Sequence, residues 1–240
     1  MGTRLRQQKR GKGSPAFKSP GHRFFGNITY EMPKATVTGV VKGFIRDPIR
    51  KVLIAKIVLQ DGTHFYNLAA EGLAVGAVVE IGADAKPTLG SVTKLSNIPD
   101  GSAVFNVEMR PGDGGKTSRA GGSSCSKISE DEDTGLVSVQ FPSKAVRVLS
   151  PNCFATVGLA SGGGRLEKPF LKAGNKWFKM KALNRYYPHV RGRAMSAYDH
   201  PYGGKTGGKP TMVSHGTPPG RKAGHIGARR TGRRKGKSTV

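Results

Sequence analysis

Carboxylates are scarce in this chain. Fifteen Asp and Glu face 40 Lys and Arg over 240 residues, a net charge of +25. That lies far outside the magnitude of about 2–8 that suits a small soluble domain, so a large polyanionic partner is implied, nucleic acid first. Cysteine is scarcer still: Cys125 and Cys153 are the whole complement, neither with a CxxC neighbour. That argues against a zinc site and leaves reduced thiols as the expectation. Long apolar runs are missing, since stretches such as Val52–Leu59 stop well short of the roughly 20 residues a membrane-spanning helix needs. The N-terminal MGTRLRQQKRGKG reaches no apolar stretch and is expected not to be a secretory signal. The six histidines (22, 64, 189, 200, 215, 225) lack the close paired spacing of metal ligands, and no metal site is expected.

What is present is unevenly placed. Residues 1–34 carry 8 basic and 1 acidic side chains, 35–160 carry 13 and 12, and 161–240 carry 19 and 2, so the excesses are +7, +1 and +17. Leu, Ile, Val and Phe number 37 of the 126 residues in 35–160 but only 4 of the 53 in 188–240, where Gly and Pro number 16. The last stretch has the composition of a segment that cannot bury enough apolar surface to offset its ordering entropy. A near-neutral globular centre is therefore expected to carry two basic arms unable to fold by themselves.

The centre reads as short strands with turn chemistry between them. TVTGVVKGFI (36–45) is rich in β-branched residues, and its two glycines suit curvature or a bulge. KVLIAKIVL (51–59), the hairpin signal Asp61-Gly62 and THFYNLA (63–69) follow, then strands at 75–81 and 88–95. After Pro99-Asp100-Gly101, five more candidates run at 102–109, 124–129, 136–141, 145–150 and 153–160, with the acidic EDED (130–133) in an exposed turn. Ten short strands without a long helical period suggest a mainly β fold, two small barrels in series. One short helix is expected beyond them. Trp177, Met180, Leu183 and Tyr187 form an apolar stripe, Lys176, Lys179, Lys181 and Arg185 a basic surface, Gly174-Asn175 a cap and Pro188 a stop. That helix could pack on the second barrel, lie on phosphates, or do both.

Two motifs invite a catalytic reading and fail it. GGKT at 114–117 resembles a phosphate loop, but position 110 is Arg110 where that motif needs glycine, and SRAGGSS does not start a helix. The GKT at 204–206 fails in the same way, with Asp199 in the glycine position. Asp199-His200 resembles half of a nucleophilic triad, yet its Gly- and Arg-rich surroundings supply no apolar frame to hold a nucleophile.

The arms make a more specific case. Basic residues alternate with Gly in RQQKRGKG (6–13), SGGGRLEKPFLKAGNK (161–176) and PPGRKAGHIGARRTGRRKGK (218–237). Arg and Lys neutralise phosphates, and Gly lets the backbone approach a sugar–phosphate surface. The few aromatics of the arms, among them Phe17, Tyr186, Tyr187, Tyr198 and Tyr202, argue against a stacking platform for single strands and favour a folded RNA recognised by backbone and shape. On charge alone, a DNA-compacting role stays open.

Five segments together, RLRQQKRGKGSPAFKSPGHR (4–23), NVEMRPGDGGKTSRAGG (106–122), SGGGRLEKPFLKAGNK (161–176), DHPYGG (199–204) and PPGRKAGHIGARRTG (218–232), carry a resemblance over almost the whole chain. The chain resembles the L2 family of large-subunit ribosomal proteins in its archaeal form. The resemblance implies an oligonucleotide-binding-type barrel at about 35–85 and an SH3-like barrel at about 86–170, between a basic N-terminal extension (1–34) and a basic Gly-rich C-terminal one (171–240). It implies a cytoplasmic, non-enzymatic protein that binds and stabilises large-subunit rRNA, aids subunit association and sends its C-terminal arm toward the peptidyl-transferase region. The implied partners are large-subunit rRNA, small-subunit rRNA at the subunit interface and neighbouring ribosomal proteins, with no membrane and no small-molecule substrate. No cofactor is required, and rRNA-associated Mg²⁺ is compatible with this role.

With the basic pattern of the arms, the resemblance assigns rRNA contacts to Arg4, Arg6, Lys9, Arg10, Lys12 and Arg23, to Lys116 and Arg119, and to Arg165, Lys168, Lys172, Lys176 and Lys179. Further along it assigns Arg191, Arg193, Arg221, Lys222, Arg229, Arg230, Arg233 and Arg234. Asp199 and His200 are expected near the peptidyl-transferase region, with His200 organising RNA rather than catalysing. The segment before His200 departs from the family's usual RGVAMN, with Arg193, Ser196 and Tyr198, and Lys205 replaces a third Gly after Pro201.

Overall fold

A computed structural model describes residues 4–33, 35–131, 133–164, 167–204 and 212–229. The chain divides into two compact units: Gly21–Phe170, and a second that unites Met1–Pro20 with Leu171–Val240.

The Gly21–Phe170 unit is built from ten strands, each overlapping a segment expected from the sequence. They are β1 (Val37–Ile45), β2 (Ile54–Leu59), β3 (His64–Leu68), β4 (Val78–Ile81), β5 (Val92–Lys94), β6 (Ala103–Phe105), β7 (Cys125–Glu130), β8 (Val137–Gln140), β9 (Val146–Leu149) and β10 (Phe154–Val157). They form one hydrogen-bonded sheet in the order β3-β2-β1-β4-β5-β10-β6-β7-β8-β9. Its halves meet at β4 and β5 through the single parallel pair Ile81–Val92. The last strand, β10, lies between β5 and β6, antiparallel to both.

Local chemistry explains much of this. The register of β1 against β2 shifts between Val41 and Gly43, a bulge where the two glycines had suggested one. A Cβ at Gly39 would sit 2.6 Å from Ile57 Cγ2, so only glycine lets β1 approach β2 this closely. The hairpin from β2 to β3 turns at Gly62, whose φ is +81°, and Asp61 braces it by accepting bonds from the Thr63 amide and hydroxyl.

Each half of the sheet has its own apolar cluster. Val41, Ile57, Phe65, Val79 and Ile81 centre the first, and Leu95, Ile98, Val104, Val137 and Val139 the second. A third cluster, with Ile54, Leu68, Phe105 and Ala160, joins residues of both halves. A buried polar network accompanies it. Tyr30 donates its hydroxyl to the Asn106 carbonyl at 2.6 Å and shares a bond with Thr156 at 2.7 Å, while Asn67 bonds both Thr156 and Asn106. Burial pushes the Tyr30 phenol far above its ordinary range, so it stays a neutral donor. Cys125 and Cys153 are free and buried in the second cluster. Burial raises both thiols, Cys153 to about 11, which keeps them protonated and inert near neutrality.

The other unit is made from both ends of the chain. It contains α1 (Arg6–Gly11), a 3-10 turn at Pro15–Phe17, α2 (Ala173–Ala182), and a two-stranded parallel pair, β11 (Met212–Val213) with β12 (His225–Ile226). The composition of the arms gave no sign of this shared structure. Its core is minimal: Leu5 and Ala223 are the buried hydrophobic residues among those described. Helix α2 buries no residue, and it is shorter than the stripe suggested. Leu183 is its C-cap, Tyr187 lies beyond it, and Lys172 rather than Gly174 or Asn175 stands at the N-cap, without a side-chain bond.

Candidate RNA interface

Charge follows the division into units. The unit of joined ends holds 23 Lys and Arg against one acidic side chain, Asp199, which leaves +22; Gly21–Phe170 holds 17 against 14, which leaves +3. The ion pairs Arg50–Asp47, Lys116–Asp113, Lys127–Asp100 and Lys127–Glu130 lie in the near-neutral unit. In the joined ends, Arg6, Lys176 and Lys181 stand against aromatic rings.

Asn184 anchors that arrangement. It takes the left-handed conformation, φ +50°, directly after the C-cap of α2. Its amide donates to the Lys181 carbonyl at 3.0 Å, and the Arg185 amide to the Met180 carbonyl at 2.7 Å, which satisfies the open carbonyls of the last turn in a Schellman arrangement. The Asn184 carboxamide also donates to the carbonyls of Pro15 at 2.6 Å and Lys18 at 2.7 Å, fastening the N-terminal segment to the end of α2. Two substitutions separate these roles. Asn184→Gly keeps the backbone conformation and loses the two clamp bonds, a cost of about 1 kcal/mol at this exposed position. Asn184→Ala adds left-handed strain of roughly 1–2 kcal/mol. Tryptic cleavage after Lys18 is expected to quicken in the order wild type, Asn184→Gly, Asn184→Ala.

Arg6 is the second anchor. Its guanidinium lies 3.8 Å from the Tyr186 ring centroid and donates to Nδ1 of His189. On α2, Lys181 sits 4.8 Å from the Trp177 ring and Lys176 5.2 Å from that of Tyr187.

Asp199 and His200 lie on a tight loop. The amides of Asp199 and His200 both donate to the Ser196 carbonyl, and that of Gly203 to the His200 carbonyl. A Cβ at Gly192 would fall 2.4 Å from the His200 ring, and one at Gly203 2.0 Å from the Ser196 carbonyl oxygen, so both glycines are required by close approach. The His200 Nδ1 accepts the Tyr202 amide at 3.1 Å and therefore carries no proton, whereas a triad histidine must donate from that atom to its carboxylate. Asp199 instead accepts the Ser196 hydroxyl at 3.0 Å. The loop borders a cleft of about 670 Å³ shared with Arg4, Gln8 and Arg221, a half-buried imidazole and a carboxylate set among guanidinium groups.

In the near-neutral unit, Glu108 organises the Gly-rich segment 106–122. It is 1% exposed, and its carboxylate accepts amide bonds from Gly112 at 3.3 Å, Gly114 at 2.7 Å and Phe154 at 3.0 Å. The backbone donors that a phosphate loop would aim at a nucleotide are thus turned on an internal carboxylate. Gly115 packs so closely on Asn106 that a Cβ would lie 2.6 Å from its carbonyl oxygen.

Comparison with known proteins fits these features. The chain matches the family model for the RNA binding N-terminal domain of Ribosomal Proteins L2 over residues 4–81, and the model for their C-terminal domain over 88–222. The chain belongs to the ribosomal protein L2 family. It is 44% identical to the large ribosomal subunit protein uL2 of Methanopyrus kandleri, over 97% of this chain and 98% of that one. Against uL2 of Halorubrum lacusprofundi it is 44% identical over 97% and 98%, and against that of Thermofilum pendens 43% over 99% and 98%. By family identity, L2 proteins are structural, RNA-binding components of the large ribosomal subunit. No helix among the described residues is long and apolar enough to cross a membrane.

The basic residues expected to touch RNA divide by exposure in this L2 chain. Arg4, Lys9, Arg10, Lys12, Arg23, Lys116, Lys168, Lys172, Arg191, Arg193, Arg221 and Arg229 are exposed. Arg6, Lys176, Lys179 and Lys222 are half-buried. Arg119 points inward, donating to the Gly115 carbonyl at 3.0 Å and that of Ile28 at 2.6 Å, which makes it a brace of the loop. Lys116 pairs with Asp113 at 2.6 Å. Arg165, Arg230, Arg233 and Arg234 lie outside the described residues, as does Lys205. Sequence reasoning passed over Asn184 and Glu108. The signals were an asparagine just past the helical stripe and a lone glutamate inside an apolar strand beside a Gly-rich turn.

Proposed function

We propose that this L2 chain is a structural constituent of the large ribosomal subunit whose joined ends embed in large-subunit rRNA and screen phosphates where RNA helices converge. One observation carries the reading: a charge of +22 sits on a unit with two buried apolar residues among those described. Such a surface gains far more from neutralisation by a polyanion than from burial of its own. The Asp199–His200 loop, with Arg4 and Arg221 beside it, is suited to a sugar or phosphate oxygen, and we place it toward the peptidyl-transferase region. In this reading the two halves of the sheet correspond to an oligonucleotide-binding-type barrel at about 35–85 and an SH3-like barrel at about 86–170. Contact with small-subunit rRNA would contribute to subunit association, and any Mg²⁺ would come with the RNA. Gradient sedimentation of cell extract with immunodetection tests this. The chain is expected with the large subunit in low and moderate salt, and recovery free or on DNA would overturn the proposal.

A further inference from the structure

We propose that an aromatic pocket in the joined ends receives a single unstacked RNA base, a site of base recognition beyond phosphate screening. The proposal rests on the RNA-binding reading above and adds a ligand class to it. The pocket, about 300 Å³, is walled by Phe17, Trp177, Lys181, Arg185, Tyr186 and Tyr187. It lies at the small end of ligand sites, which span roughly 300–1,000 Å³. The rings come from segments some 160 residues apart, brought together where the Asn184 carboxamide holds the Pro15–Lys18 turn.

Two features favour a nucleotide. Trp177 and Tyr186 remain 40% and 49% exposed even with Lys181 and Arg6 beside them, in a unit with almost no core, so much of their aromatic surface is open to a ligand. Each of three rings also stands with a cation: Trp177 with Lys181, Tyr187 with Lys176, and Tyr186 with Arg6. A nucleotide presents the complementary pair, a flat π face and a phosphate one sugar apart. An acidic peptide matches the cations and not the rings. A paired duplex also matches the cations, but its bases are stacked inside the helix. An extrahelical base meets both, since aromatic rings stack on any base and cations follow its backbone.

Trp177 is the only tryptophan in the chain, so its emission reports on this pocket directly. The full chain would be titrated with an RNA hairpin carrying a single bulged adenosine, the same hairpin fully paired, the same bulge made abasic, and polyglutamate. The bulged hairpin is expected to quench Trp177 and to bind about tenfold tighter than the paired and abasic ones. Polyglutamate is expected to leave the emission unchanged. Trp177→Leu and Phe17→Leu should each erase the tenfold preference and leave affinity for the paired hairpin intact. Equal affinity for bulged, paired and abasic hairpins would sink the pocket while sparing the RNA-binding reading. Failure of every hairpin to bind at low salt would sink both. The comparison among hairpins on the unaltered chain stands even if a variant misfolds.

Discussion

A chain carrying Arg191→Ala, Arg193→Ala, Arg221→Ala and Arg229→Ala together is expected to bind large-subunit rRNA a few hundredfold more weakly at about 0.15 M salt, with a salt slope shallower by about 3. The reasoning starts from exposure and charge. All four guanidinium groups are exposed, and the unit that holds them has one carboxylate side chain, Asp199, to compete for them. Each phosphate neutralised contributes about 0.7–0.9 to the slope of log affinity against log salt, so four contacts account for roughly three units. Between 0.15 M and 1 M salt that slope is worth about 2.5 decades, hence the expected loss. The fourfold Arg→Lys chain supplies the control. It keeps the charge and therefore the slope, and gives up only the fork geometry that bidentate contacts use. Filter binding across a salt series reads both quantities. An unchanged slope in the alanine chain would mean that these arginines do not lie on phosphate.

Glu108→Ala is expected to remove at least about 3 kcal/mol from the stability of the Gly21–Phe170 unit. Three buried or part-buried amides, those of Gly112, Gly114 and Phe154, converge on this one carboxylate. Each donor left without a partner costs about 1–3 kcal/mol, and water entering the vacated space recovers only a part. Against a total of about 5–15 kcal/mol for a domain, the loss is large. It should appear in far-ultraviolet circular dichroism as a fall in denaturant midpoint at unchanged slope, and as a melting temperature lower by roughly 6–12 °C. Glu108→Gln retains one acceptor oxygen while turning an NH₂ toward an amide, and should fall between.

How much of this could be read in advance depends on how local each cause is. The ten strands were legible because β-branched runs, Asp61-Gly62 and the paired glycines of β1 act within a few residues. Rejection of the phosphate loop at 114–117 was legible too, from Arg110 and the SRAGGSS stretch, although its deeper reason was not: a lone glutamate in NVEM gives no hint that three amides will converge on it. The start of α2 was roughly visible and its end was not. Asn184 stops the helix in a conformation supported by the carbonyls of Pro15 and Lys18, and no window of sequence contains both sides of that contact. The same holds for the aromatics. Counted along the arms they are few, and only the fold gathers Phe17 with Trp177, Tyr186 and Tyr187. The insertion of β10 between β5 and β6 is likewise a property of the whole sheet.

The clamp from Asn184 to Pro15 and Lys18 also orders events during synthesis. The first twenty residues leave the translating ribosome long before their counterpart exists, and must wait while some 160 further residues are polymerised. Throughout that interval the cations of this segment stand without the two Asn184 bonds that later fasten it. Its N-terminal turn is therefore fastened only when residue 184 arrives, after the whole of the sheet has been made.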